Sequence, residues 1–208
     1  MALEHKHFIT PEEYLEIDRA SQDVKYEYID GRMYAMSGGT INHGQIAYNM
    51  ANLVHTHLKS KTCRFFQSDV RFQVAEGKYF YPDVSVSCNP QDWQQGDADT
   101  IHFPCLVVEV LSPSTEARDR RIKWKHYQAC PSIQEYVLVN TQCQLVEVFQ
   151  RQADGNMWLY QQFGPGQEID LASVGLKFPL AALYDLTSVP VEEEEETDNA
   201  TGDNQYDS

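Results

Sequence analysis

Hydrophobic and polar positions alternate with two different periods along the chain. "TPEEYLEI" carries a helix start, with Thr10 at the N-cap, Pro11 in the first helical position and Glu13 placed to close a capping box. "YEYIDGRMYAM" has the period of strands and predicts a hairpin turning at Asp30-Gly31, a pair suited to a tight two-residue turn. "INHGQIAYNMANLVHTHLKS" returns to helical spacing, with Ile46, Met50, Leu53, Val54 and Leu58 on one stripe. Two strands are predicted next, around "RFFQSDVRFQV" and "YFYPDVSV", followed by a polar loop, "NPQDWQQGDADT". "CLVVEVL" reads as a buried strand ended by Ser112-Pro113. Ser114 or Thr115 is then placed to cap a helix running to about Ala129. "QEYVLVN", "QLVEVFQR" and "NMWLYQQF" predict a run of strands, and "LAALYD" a short closing helix. The pattern gives an α/β or α+β domain, a mixed sheet flanked by helices, preceded by an N-terminal helix and hairpin. It does not give the strand order.

Composition adds one boundary. The chain has 208 residues and a formal charge of −15, but residues 192–208, "EEEEETDNATGDNQYDS", hold five Glu and three Asp and no Lys or Arg. Without them 23 acids face 16 bases, a formal −7. The boundary near Pro190 therefore predicts one domain over 1–190 and a disordered acidic tail over 191–208. The overall sign says little about the folded surface. Cys63, Cys88, Cys105, Cys130 and Cys143 are odd in number and form no CxxC pair. That spacing predicts neither a zinc site nor a disulfide framework and fits a reducing cytoplasm. With no apolar signal core in "MALEHKHFIT" and no membrane-length stretch, the expectation is a soluble cytoplasmic protein.

Two acids and one helix are candidates for chemistry. Glu109 lies inside Leu106-Val107-Val108 and Val110-Leu111, where neither strand face looks solvated. A buried carboxylate needs a cation, supplied by a basic side chain or by a metal ion. Asp83 follows Pro82, which marks an edge, a bulge or a strand start. Taken alone, Asp83 reads as a solvent-facing acid. Two carboxylates on neighbouring strands, however, suit a hard divalent ion that keeps several waters. The helix after Glu109 packs Arg118, Arg120, Arg121, Lys123 and Lys125 into eight residues. Asp119, Lys123 and Tyr127, spaced by four, share one face, and the apolar neighbour Ile122 suggests that this face points inward. His55 and His57 are two apart on a helix and point to different faces, so no metal is assigned to them.

At this point the chain resembles a known family. "YEYIDGRMYAMSG", "INHGQIAYNMANLV", "YPDVSV", "LVVEVLSPST" and "DRRIKWKHY" occur in the order found in the Uma-two family. That family belongs to the PD-(D/E)xK superfamily, with the restriction-endonuclease-like fold. The resemblance covers roughly residues 8–188. It implies that Asp83 is the Asp of the PD motif and Glu109 the acid of the second motif. The usual Lys two residues later is replaced by Leu111, and the resemblance moves that role to Lys123. Glu27 resembles the additional acid such folds contribute from near the N-terminus; it reads equally as an exposed strand Glu beside Lys25. Asp69 and His43 also sit within family-like segments, His43 reading equally as a cap or packing residue.

The function so implied is a metal-dependent endonuclease that hydrolyses DNA phosphodiesters by activated water. Asp83, Glu109 and the Val110 carbonyl would hold magnesium (or manganese), Lys123 would orient or deprotonate the water, and Glu27 would assist. Arg118, Arg120 and Arg121, with Arg64 and Arg71, would meet the phosphate backbone. The partners implied are DNA and a second copy in a homodimer, with no membrane and no small organic cofactor. The alternative is an inactive nuclease-fold module that binds nucleic acid or a protein.

Overall fold

The computed structural model describes residues 8–191 apart from residues 37, 60, 95 and 97, so the acidic tail from residue 192 onward lies outside the described residues. Helix α1 (Pro11–Ala20) begins with the expected capping box: Thr10 and Glu13 exchange side-chain bonds with each other's backbone N–H. Strands β1 (Tyr26–Ile29) and β2 (Arg32–Ala35) form the expected hairpin. Its turn residues Asp30 and Gly31 have φ of 44° and 88°, the left-handed region that this pair tolerates. Helix α2 (Ile41–Leu58) buries Ile46, Met50, Val54 and Leu58, four of the five predicted stripe positions, with Leu53 half-buried.

The two segments read as single strands each divide. "RFFQSDVRFQV" becomes β3 (Arg64–Gln67) and β4 (Arg71–Ala75), separated by a turn in which Val70 N–H bonds to the Gln67 carbonyl. "KYFYPDVSVS" becomes β5 (Lys78–Phe80) and β6 (Val84–Ser87). The break falls at Pro82, which lacks the N–H a continuous ladder needs. The expected loop contains a 3₁₀ turn (Pro90–Asp92) and ends at β7 (Thr100–Ile101). It is followed by β8 (Pro104–Val110). After Ser112-Pro113 the helix is composite: α3 (Glu116–Arg118), a wider π turn (Asp119–Lys123) and α4 (Trp124–Ala129). Thr115 makes no side-chain cap, contrary to the expectation; its hydroxyl meets Ser112 Oγ at 2.9 Å instead. Strands β9 (Glu135–Val139), β10 (Val146–Arg151) and β11 (Trp158–Phe163) follow as read. An unforeseen hairpin, β12 (Glu168–Leu171) and β13 (Leu176–Pro179), precedes α5 (Leu180–Leu183).

The strands form two main sheets where one central sheet was expected. One has order β2-β1-β5-β4-β7, the other β11-β10-β9-β8-β6-β3, with β12-β13 separate. In the six-stranded sheet only β8 and β9 pair parallel, joined by the composite helix as a crossover. Side chains on β8 alternate strictly. Leu106, Val108 and Val110 join the core under α2, whereas Val107 and Leu111 join a second core with Tyr127, Tyr136, Phe72 and Phe80. Glu109 shares the parity of the second set. It therefore points between the sheets, toward the composite helix.

The cysteine expectation needs correction. Cys63 and Cys88 are disulfide-bonded, with Cα atoms 4.0 Å apart. The reason is register: β3 and β6 pair antiparallel with Arg64 opposite Ser87, which brings the residues just outside the pairing together. Wide sequence spacing could not reveal that, and the argument from cysteines to a reducing compartment loses its support. Among the described residues no helix is long and apolar enough to cross a membrane.

Candidate active site

The chain passes from one sheet to the other through Tyr81-Pro82-Asp83, and the candidate site lies at that crossing. Asp83 is the residue before β6. The β6–β8 register pairs Val84 with Val108, and one further step sets Asp83 beside Glu109. Asp83 Oδ2 accepts the Val110 N–H at 2.7 Å. Glu27 comes from β1 in the other sheet, and Asp119 and Lys123 from the π turn. Together with His43, Ser112, Thr115 and Arg118 they line a cavity of about 70 Å³, room for a hydrated ion.

Lys123 is the hub. Its Nζ lies 2.9 Å from Glu109 Oε1, 2.8 Å from Glu27 Oε1 and 3.1 Å from Asp119 Oδ1, and its side chain is 5% exposed. Tyr127 also donates to Glu109 Oε1, at 2.9 Å. Burial opposes the charge on Lys123, but the Glu109, Glu27 and Asp119 carboxylates outweigh it and raise its pKa well above the usual lysine value. Burial also raises Glu109 well above the carboxylate range, with Lys123 pulling the other way. Asp119 is raised for the same first reason. Both directions follow from burial in a cluster that holds more carboxylates than cations. Lys123 stays charged.

Charge counting tests whether a metal ion fits. Four carboxylates line the cavity, Glu27, Asp83, Glu109 and Asp119, against two permanent cations, Lys123 and Arg118. Glu27 Oε1 and Asp119 Oδ1 are buried without a hydrogen bond, meeting Lys123 only as ions. Asp83 Oδ1 and Glu109 Oε2 accept no hydrogen bond from a described residue, their partners all being on the other oxygen. Unmatched negative charge and two free carboxylate oxygens suit a divalent cation. Among the described residues no group of three His, Cys, Asp or Glu side chains is arranged to hold an ion alone. The donors thus fit an ion that keeps much of its water, as magnesium does.

The remaining sequence candidates separate. Arg118 lies 3.4 Å from Glu27 Oε2 and stacks over the Tyr34 ring at 4.3 Å, on the cavity wall. Arg120 is tied to Glu116 at 2.7 Å and Glu147 at 2.5 Å, and Arg121 is exposed. Arg71 is buried against Asp18 at 2.6 Å, so it does not face a phosphate backbone; Arg64 stacks on Trp93 instead. Asp69 is exposed and pairs with Lys25, away from the cavity. Ile122, taken as a sign of an inward face, is 40% exposed, yet Asp119, Lys123 and Tyr127 do face inward. Two cavity residues were missed. Asp119 is placed on the inward face with Lys123 and Tyr127 by its spacing, but nothing in the sequence marks it as a site acid. His43, which by sequence reads equally as a cap or packing residue, has its Nε2 3.5 Å from Asp83 Oδ2. That contact raises the His43 pKa above the ordinary imidazole value.

Known proteins resemble this chain over most of its length. The Uma2 family model, described as "Putative restriction endonuclease", matches residues 11–182. An uncharacterised protein of Synechocystis sp. is 38% identical over 177 residues, covering 85% of this chain and 91% of its own. A second from the same organism is 30% identical over 165 residues, covering 79% and 93%. A crystal structure described as "a putative nuclease belonging to DUF820", from Anabaena variabilis, superposes with a TM-score of 0.70 at 20% identity. It covers 85% of this chain and 97% of that one, a shared fold. With the family model spanning helix α1 through α5, this chain belongs to the Uma2 family.

Proposed function

We propose that the chain is a metal-dependent endonuclease acting on DNA. The single observation that carries this reading is the cavity with four carboxylates against two permanent cations, with Asp83 and Glu109 each keeping an oxygen free of hydrogen bonds from the described residues. Asp83, Glu109 and the Val110 carbonyl would hold magnesium or manganese. When bound, such an ion supplies a more acidic water and positive charge against the phosphate.

The protein's own groups do the rest. Lys123 stands as an ammonium fixed by three carboxylates, so it orients a water and offsets negative charge in the transition state. It does not serve as the base, because its neighbours hold its proton. Glu27 positions Lys123 and Arg118 through its two oxygens. Arg118, on the cavity wall, is placed to meet a phosphate, and the exposed Arg121 lies one helical turn further along. Arg120 is spent on Glu116 and Glu147 and contributes to the helix rather than to the substrate. The homodimer implied by the family resemblance would present two such sites to a duplex.

Supercoiled plasmid incubated with the protein and magnesium, manganese or a chelator tests the reading. Metal-dependent nicking is expected, with Asp83→Ala, Glu109→Ala and Lys123→Ala each slowing it by about a hundredfold or more. Metal binding without cleavage of DNA or RNA would instead assign the chain to an inert nuclease-fold module.

A further inference from the structure

We propose that Gly39 and His43 form a clamp that fixes one oxygen of Asp83, so that the other is presented to the cation. The proposal rests on the metal-dependent reading above and concerns positioning residues, not groups that touch substrate.

The geometry begins at Asp83. Oδ2 is held from two sides, by the Val110 N–H at 2.7 Å and by His43 Nε2 at 3.5 Å. Oδ1 takes no hydrogen bond from a described residue, and Asp83 lines the cavity. A carboxylate gripped at one oxygen cannot swing its other oxygen freely. Partners that orient a metal ligand in this way commonly set affinity without touching the metal.

His43 is itself held. It is the third residue of α2, where its N–H donates to Thr40 Oγ1 at 3.2 Å. The helix behind it is anchored by the fully buried Ile46, Met50 and Val54. The remaining restraint is Gly39. A Cβ at that position would come 2.6 Å from His43 Nδ1 and 2.8 Å from its Cγ, and the third nearest atom, at 3.2 Å, is the His43 Cβ. Gly39 is not among the glycines with positive φ, so its backbone imposes no demand for glycine. The close approach of the imidazole does. A methyl group there would push the ring off Asp83 while leaving its chemistry intact.

That prediction separates a clamp from ordinary packing. Manganese is titrated by calorimetry into the full-length protein and into His43→Ala, Gly39→Ala and the double variant. Thermal unfolding of each is followed in chelator. Each single variant is expected to lose on the order of ten- to a hundredfold in manganese affinity, the range for groups that orient a ligand. Gly39→Ala is expected to cost nothing further once the imidazole is gone, a non-additive cycle. His43→Gln, which keeps a donor, is expected to recover part of the loss. Single variants that bind like wild type, or a Gly39→Ala cost that is the same without the imidazole, would overturn the clamp and leave the metal reading standing. A wild-type protein that binds no manganese would overturn both. Should His43→Ala fail to fold, Gly39→Ala and His43→Gln carry the same comparison.

Discussion

Glu109 shows what a single residue can disclose. An acid inside Leu106-Val107-Val108 and Val110-Leu111 had to have a partner, and the partners are Lys123 and Tyr127. The need was legible because burying a carboxylate is costly whatever the fold. How the rest of the site closes around it was not, because Glu27 meets Lys123 from another sheet and His43 meets Asp83 from another helix. The raised pKa values of Glu109 and Asp119 have a consequence with a definite sign. An acid whose pKa is higher when folded favours the folded state while protonated, and that contribution is lost as pH rises through the raised value. A cation must compete with the same proton. The thermal midpoint of the metal-free protein is therefore expected to fall as pH rises above the ordinary carboxylate range, while the gain on adding manganese grows. Scanning unfolding against pH, with and without manganese, checks this; a gain independent of pH would contradict it.

At the scale of elements, local signals were reliable and long-range ones were not. The capping box at Thr10, the Asp30-Gly31 turn and the stripe on α2 depend only on neighbours within four residues. The division of two apparent strands was half-visible, at Pro82, but that their halves join different sheets was not. The β12–β13 hairpin escaped notice, although its inward Ile169, Leu171, Leu176 and Phe178 alternate with exposed residues. The bond between Cys63 and Cys88 likewise follows from β3–β6 register rather than from spacing. Arg71 shows the same limit: a basic residue in the sequence, it is in fact a structural tie. It bonds Asp18 on α1, Tyr81 at the crossing and Thr100 on β7. Arg71→Ala leaves Asp18 buried beside Tyr81 without its cation. A loss of roughly 3–5 kcal/mol in chemical denaturation is expected, whereas an effect confined to DNA affinity would show that Arg71 faces substrate after all.

For the whole molecule, the arrangement that matters is the junction between two sheets. One sheet supplies Glu27, the other Glu109, the connecting segment Asp83, and the parallel crossover Lys123 and Asp119. The polarity of β8 against β9 makes this possible: the composite helix must travel back over the sheet, carrying its π turn past the end of β8. Lys123 thus reaches the carboxylate from fourteen residues along, although Leu111 stands where the common superfamily pattern has its lysine. That the site draws on several separate segments also explains why the ordered family motifs carried more information than any one of them. The measurement that most directly tests the central claim is anomalous diffraction from crystals soaked in manganese. The account predicts density against Asp83 and Glu109 in the wild-type protein and its loss in Asp83→Ala. No density in the wild-type cavity, or density away from both carboxylates, would contradict it.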